Sequence, residues 1–379
     1  MKFFCVLLAL LMFLSVMPAA LADGLTPEWM EREFKARHIV GGVVVVSRYG
    51  ETVFSYCYGT KTNRGTDRVT PDTVFRVASV TKLVSTVGLM QLYDQGYFRM
   101  DDSLSDLLPF PVINTEYPDE PITVRQLLSH TTGILATARP QSNWGYLSRH
   151  SSATMFRQHT PPGTRFIYSN ANGGMVGGLI EALIGQSVNT YMRQNIFAPL
   201  GVNAAYTARL LPDRSDIANE LKQDGSIARS VEGQLNQDYE DTCDPAAHLS
   251  YTVGGLHISA NGLNRIGMML CNEGFLDGKR ILRPDTVYMM QQDPRSFPGS
   301  TVHTEGRYTV GMQRVEDGYG NIWYGHQGMF SGLTSDMFYQ PEHGLVVTVI
   351  ANGYQGLKDG VLVSLALRTM DKSIETDWD

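Results

Sequence analysis

The sequence predicts an α+β fold: one antiparallel β-sheet flanked by helices, with a mostly helical region inserted in the middle of the chain. Three observations predict it. Near the N-terminus a Val-rich run and a second strand-like run are separated by a short turn. In the last quarter, four strand signals are joined by short turns, and short turns enforce antiparallel pairing. Between these ends the texture is helical, with no clear strand pairs.

Each element follows from local pattern. Residues 26–37 read as a helix with Pro27 in its first turn. Residues 41–47 and 52–58 are strands around Tyr49-Gly50-Glu51, a β-hairpin. Pro71-Asp72-Thr73 leads into Phe75-Arg76-Val77-Ala78-Ser79-Val80-Thr81-Lys82 and a helix ended by Gly96. Apolar residues such as Leu83, Val84, Val87, Leu89 and Met90 cover most sides of that helix, which predicts burial. Helical patches follow at 104–108, 123–129, 172–185 and 188–198, joined by Pro- and Gly-containing loops. Residues 207–250 are polar and weakly periodic and receive no assignment; insertions of this kind often form loops over a site. Helices at 260–271 and 284–292 precede strands at 308–315, at 322–324 running on to His326, and at 333–339. Asp317-Gly318 turns the first pair, Pro341-Glu342-His343-Gly344 leads to a fully apolar strand at 345–350, and 357–370 is a closing amphipathic helix. The hairpin and the C-terminal strands are expected to share one sheet, covered by the first and last helices. The expected division is a signal peptide at 1–22, a discontinuous α/β domain of 23–96 and 251–379, and an inserted helical domain at 97–250.

Composition narrows the class. The chain has 379 residues, 43% hydrophobic and 18% charged, an ordinary globular balance. Lys2, the apolar run 3–17, Pro18 and Ala20-Leu21-Ala22 form a secretory signal peptide, too short to span a bilayer, so the mature chain is expected to start at Asp23 and to be exported, periplasmic or secreted. Removing Lys2 from 31 basic residues leaves 30 against 38 acidic ones, a net charge of −8. An acidic chain without basic runs is a poor partner for nucleic acid or anionic membrane, and no later stretch is long enough to span a bilayer. The mature cysteines are Cys57, Cys243 and Cys271, an odd number, so at most one internal pair forms; spacing does not choose it, and three buried thiols fit equally well. Cys-x-x-Cys, His-Glu-x-x-His and Gly-x4-Gly-Lys are absent, so neither metal nor cofactor is expected.

Three stretches carry chemistry. If a helix begins at Ser79, one turn stacks the Lys82 ammonium beside the Ser79 hydroxyl, among the unpaired N–H groups of the helix start. The bland reading is a Ser N-cap followed by a surface lysine. In Pro162-Gly163-Thr164-Arg165-Phe166-Ile167-Tyr168-Ser169-Asn170, an extended segment would turn Tyr168 and Asn170 to one side, and Gly173-Gly174 follow; alone, Tyr168 reads as a packing residue. In Trp323-Tyr324-Gly325-His326-Gln327-Gly328, the glycines allow a close approach to backbone; alone, this is a strand-end turn with a hydrogen-bonded His326.

Together and in this order, the three resemble the signature of the serine β-lactamase and penicillin-binding protein superfamily: Ser-x-x-Lys, a polar triplet and Lys-Thr-Gly. The Tyr-x-Asn triplet is similar to that of the class C β-lactamase branch, with its DD-peptidase, D-aminopeptidase and carboxylesterase relatives. The stretches 123–133, Pro162-Gly163-Thr164 and 254–259 look like that branch as well, and the resemblance covers nearly all of the mature chain, least at 207–250. The resemblance implies a β-lactamase/transpeptidase-like fold, attack by Ser79 and an acyl-enzyme. Lys82 and Tyr168 would relay the proton, with the neighbouring ammonium lowering the phenol's pKa. Asn170 would orient Lys82 and touch the substrate amide, and the oxyanion would lie between the N–H groups of Ser79 and Met329, just past Gly328. His130 and His257 read as structural.

The third motif departs from the pattern. His326 and Gln327 stand where class C enzymes resemble one another in carrying Lys and Thr, and the Arg they carry near the last helix has only Lys358 as its nearest cation here. A neutral imidazole supplies no fixed charge. The expected function is therefore a serine hydrolase acting through an acyl-enzyme on amide bonds of D-amino-acid, cell-wall type peptides and/or β-lactams. The alternatives are a carboxylesterase of the same branch and a non-hydrolytic penicillin-binding sensor or scaffold. The expected partner is a small-molecule or peptide substrate.

Overall fold

The computed structural model describes residues 24–63, 65–135, 155–237, 239–247, 249–291, 307–354 and 361–378. The expected signal peptide at 1–22 and Lys358 lie outside the described residues. The first helix is Pro27–Ala36; the Thr26 hydroxyl caps it by accepting the Trp29 N–H at 3.1 Å. Strands β1 (Gly41–Arg48) and β2 (Glu51–Gly59) form the expected hairpin, turned by Tyr49 and Gly50 at φ 50° and 88°. Strand β3 (Val74–Arg76) leads into the helix Val80–Asp94. The middle of the chain supplies helices Leu104–Leu107, Val124–Leu128, Asn170–Ile184 and Val188–Met192.

That region also holds strands, against expectation: β4 (Ala204–Ala205), and a small hairpin of β5 (Glu220–Leu221) and β6 (Ile227–Arg229). They are two or three residues long, too short to leave a periodic signature. Strand β4 pairs with β7 (His257–Ser259), and β7 pairs with β3, so a three-stranded sheet braces the chain just before Ser79. Helix Ala260–Cys271, the short pair β8 (Phe275–Leu276) and β9 (Lys279–Arg280), and helix Pro284–Met290 follow.

The run expected as one strand at 308–315 is two, β10 (Arg307–Tyr308) and β11 (Gln313–Glu316). Between them the Thr309 N–H donates to Met312 O at 2.7 Å and Gly311 turns at φ 80°. Strands β12 (Ile322–Phe330), β13 (Leu333–Gln340) and β14 (Leu345–Asn352) are longer than their apolar cores predict, and the described part of the last helix runs Val361–Glu375. The main sheet is antiparallel in the order β10-β11-β12-β13-β14-β1-β2, so the two ends of the chain meet where β14 pairs with β1. Both faces are covered, which is why β1 and β14 are buried along nearly their whole length and carry continuous apolar runs rather than alternating. Val44, Val46, Val347 and Val349 face the first and last helices; Val43, Val45, Met337 and Ile350 face the Val80–Asp94 and Ala260–Cys271 side.

On β13, Asp336 sits between Gln327 and Val349; it is 1% exposed, with no partner for either carboxylate oxygen among the described residues. Burial raises its pKa well above the usual carboxylate range. The folded chain thus holds a proton that the unfolded chain releases near its ordinary value of about 3.9, so stability falls as pH rises above that value. Asp336→Asn is expected to raise stability at pH 7 by about 1–3 kcal/mol. Thermal unfolding should show a larger gain at pH 8 than at pH 5; an equal gain at both would contradict the buried, protonated acid.

Candidate active site

Backbone placement comes first. Val77 is pinned from two sides: its N–H donates to Leu256 O and its carbonyl accepts the Ser335 hydroxyl, both at 2.8 Å. Ala78 then adopts φ 46°, a left-handed conformation uncommon for a residue with a Cβ. Ser79 stands at the N-cap of Val80–Asp94 but makes no capping bond with its side chain. Its hydroxyl meets Lys82 Nζ at 3.1 Å instead, which decides against the capping reading.

Lys82 is no surface lysine. It is 2% exposed, and its amine donates to Val253 O at 2.8 Å. Gly173 gives it room: a Cβ there would lie 2.7 Å from Lys82 Cε. Burial lowers the Lys82 pKa to about 7. At neutral pH much of the amine is therefore uncharged, with one N–H held by Val253 and a lone pair open to the Ser79 hydroxyl.

The Tyr168 ring centroid lies 5.1 Å from Lys82 Nζ. Its phenol oxygen is buried, with no hydrogen-bond partner within bonding geometry among the described residues. Burial pushes the phenol up to about 12, and the nearby Ser79 hydroxyl offsets only part of this. The expected lowering by a lysine ammonium does not occur, because the burial that raises Tyr168 also takes the charge from Lys82. Lys82 is thus the group that titrates near neutrality, and Tyr168 keeps its proton there.

His130, read from the sequence as structural, holds this triplet directly. Its Nδ1 accepts the Ser169 N–H at 3.0 Å, its carbonyl accepts the Ile167 N–H at 2.8 Å, and its ring stacks on Tyr168 at 4.5 Å. Only its place in the 123–133 stretch hinted at the site. His257 bonds Gly255 O and Gln234 Oε1 and is structural. Asn170 is exposed at the first position of Asn170–Ile184, and the two bonds of Lys82 go to Ser79 and Val253 rather than to it. The buried asparagine is Asn172, whose Oδ1 accepts the Thr132 hydroxyl at 3.1 Å.

The third stretch lies on β12, and its end, His326-Gln327-Gly328, runs beyond the reach of β11, which pairs only with 322–325. The Gln327 N–H donates to Gln313 Oε1 at 3.0 Å, away from β13. Amides two apart on a strand point the same way, so the Met329 N–H leaves by the same edge. Gly328 packs on the nucleophile turn: a Cβ there would lie 2.4 Å from Val77 O and 3.0 Å from Ser79 N. The N–H groups of Ser79 and Met329 can therefore converge on one oxyanion. The Met329 and Phe330 side chains are exposed. His326 is buried and withdrawn, its nitrogens within hydrogen-bond distance of Gln327 O and Tyr308 Oη. Burial, with Lys82 nearby, lowers its pKa to about 3.

Other features lie apart from this constellation. A cavity of about 590 Å³, lined in part by Asp72, Asp216, Asn261 and Arg265, contains none of these residues. Cys57, Cys243 and Cys271 are free, and Cys243 is exposed. Among the described residues, no group of three His, Cys, Asp or Glu side chains could hold a metal ion, and no helix is long and apolar enough to cross a membrane.

An antiparallel sheet with helices on both faces, and a serine paired with a buried lysine, define a serine hydrolase of the β-lactamase/DD-peptidase type. The family model described as Beta-lactamase matches residues 28–368, and the chain belongs to this family. It is 29% identical over 335 residues to penicillin-binding protein 4 of Amycolatopsis lactamdurans, covering 86% of this chain and 84% of that protein. Its structure is similar to that of a class C beta-lactamase, with TM-score 0.72 and 16% identity over 92% of this chain and 95% of that one. It is also similar to the D-amino acid amidase of Ochrobactrum anthropi SV3, with TM-score 0.68 and 20% identity over 90% and 95%. Identities this low show a shared fold.

Two outcomes are expected. With the free amine as the base, an expectation still to be tested, kcat/KM should rise with pH through an apparent pKa of about 7 and hold to higher pH, Tyr168 ionising only near 12; a rate flat from pH 5 to 9 would remove Lys82 from that role. Gly173→Ala should push the amine off Ser79 and lower kcat by about 100-fold. Steady-state kinetics, with thermal unfolding to confirm the fold, would show this, and full activity would contradict it.

Proposed function

We propose that this chain is an exported serine hydrolase that acts through an acyl-enzyme on amide bonds of D-amino-acid, cell-wall type peptides and/or β-lactams. The observation that carries the reading is the 3.1 Å contact between Ser79 and an amine buried to a pKa of about 7. Ser79 Oγ attacks the carbonyl carbon and its proton passes to Lys82. The carbonyl oxygen becomes an oxyanion between the Ser79 and Met329 N–H groups; one such donor typically contributes about 10²–10³ in rate. The Tyr168 hydroxyl, buried beside Ser79, gives its proton to the leaving nitrogen and regains one from Lys82. The C–N bond breaks and leaves an ester on Ser79, which water cleaves with the same groups in reverse. Asn170 lies exposed where it can touch the substrate amide, while Gly328, His326 and Gln327 shape the wall beside the oxyanion.

The names of the Amycolatopsis relative and of the Ochrobactrum neighbour support a substrate of this class. Export rests on the leader at 1–22. Pairing of β1 with β14 supports the division into 23–96 with 251–379 and an insertion at 97–250. A carboxylesterase is the second reading, favoured by the withdrawn His326 and by the exposed Met329 and Phe330, since an ester needs no cation to hold a carboxylate.

The test is intact-protein mass spectrometry after incubation with a fluorescent penicillin, on wild type and Ser79→Ala. An adduct on wild type alone is expected. Persistence would point to a peptidase or a sensor, and turnover of the penicillin to a β-lactamase. No adduct, with Ser79-dependent cleavage of a p-nitrophenyl ester, would favour the esterase. Full activity of Ser79→Ala would overturn the nucleophile.

A further inference from the structure

Tyr308, on the edge strand β10, plays no part in the reaction as drawn, yet it stands at the centre of the aromatic cluster behind it. It is 2% exposed. Its ring lies 4.7 Å from His130, 5.6 Å from His326 and 6.2 Å from Tyr168, centroid to centroid. Its oxygen is 3.1 Å from His326 Nε2, while His326 Nδ1 is 2.6 Å from Gln327 O.

These two contacts fix the proton. A carbonyl oxygen only accepts, so Nδ1 carries the hydrogen and donates it to Gln327 O. In the neutral ring Nε2 then holds a lone pair, and Tyr308 must be the donor. Both nitrogens are thereby satisfied inside the protein. The titratable groups facing His326 are Lys82, His130, Tyr168 and Tyr308; burial first and Lys82 second hold both His326 and His130 in the neutral state. Asp336 lies on the opposite face of the sheet, one strand further in.

We propose that Tyr308 is a positioning residue: by donating to Nε2 it locks His326 as the neutral Nδ1–H imidazole and withdraws it from both substrate and proton relay. The site then holds one group that changes charge near neutral pH, Lys82, and the substrate is gripped by backbone N–H groups rather than by a cation on β12. The substrate class that fits this lock is an acyl donor recognised without a carboxylate contact at His326. This consequence rests on the acyl-transfer reading above; the lock itself does not.

Histidine-selective ¹⁵N NMR tests the lock without needing activity. In wild type the His326 signals should report the Nδ1–H tautomer and stay unchanged from pH 5 to 8; an Nε2–H tautomer, or titration near 6.5, would overturn the proposal even if Tyr308→Phe failed to fold. In folded Tyr308→Phe the Nε2 signal should shift and titrate, and kcat on a neutral p-nitrophenyl ester should fall about 10-fold with KM changed less than about twofold. Adding Tyr308→Phe to His326→Asn should change kcat less than about twofold, because the partner is already gone. Unchanged His326 signals in Tyr308→Phe, or additive losses in the double variant, would overturn the lock. If wild type shows no Ser79-dependent turnover, the acyl-transfer reading fails while the NMR result still decides the lock.

Discussion

The structure turns on a lysine buried against a serine. A charged amine at Lys82 would forfeit its hydration with little in return, so the folded state favours the free base. Much of the surrounding architecture serves that burial. The helix Val80–Asp94 is enclosed on nearly every side, so Lys82 cannot swing out to water. Gly173 leaves the space its methylenes occupy, and Val253 O takes one N–H. The result is a base near neutrality beside a hydroxyl that a surface lysine could not deprotonate.

Backbone geometry supplies the other half. The left-handed Ala78 costs some conformational energy, on the order of 1–3 kcal/mol for such a residue. Its neighbours hold it: Val77 is tied to Leu256 and Ser335, and Gly328 presses on the same turn. That turn releases Ser79 from capping duty and brings its amide beside β12. Sheet and helix are thus coupled at the one place where a developing negative charge needs two amides.

The aromatic cluster behind the site does a different task. His130 grips the backbone on both sides of Tyr168, and Tyr308 packs against His130, Tyr168 and His326 together. Burial keeps both imidazoles neutral. An uncharged wall of this kind does not compete with Lys82 for protons, and it gives Tyr168 a rigid backing.

Much of this was legible in the chain. The hairpin at 41–58, the enclosed helix after Ser79 and the apolar strand at 345–350 follow from period and turn chemistry, which act over a few residues. So does the one-turn stacking of Ser79 on Lys82, and Gly325 and Gly328 stood out as places where something must approach the backbone closely, whereas the need for Gly173 appears only once Lys82 is packed against it. The break at 309–312 was missed because the β-branched Thr309 and Val310 carry the strand pattern into it, and the strands β4, β5 and β6 were missed because they are too short to have a period. What the sequence could not determine was the state of each group. A pKa depends on what surrounds a side chain, and the neighbours that matter here come from far along the chain: Val253 for Lys82, His130 for the Tyr168 triplet, Tyr308 for His326. Local pattern placed Ser79 one helical turn from Lys82. Only the closed tertiary structure decided which base is neutral, which phenol keeps its proton and which histidine is withheld, because desolvation and long-range hydrogen bonds exist only after folding.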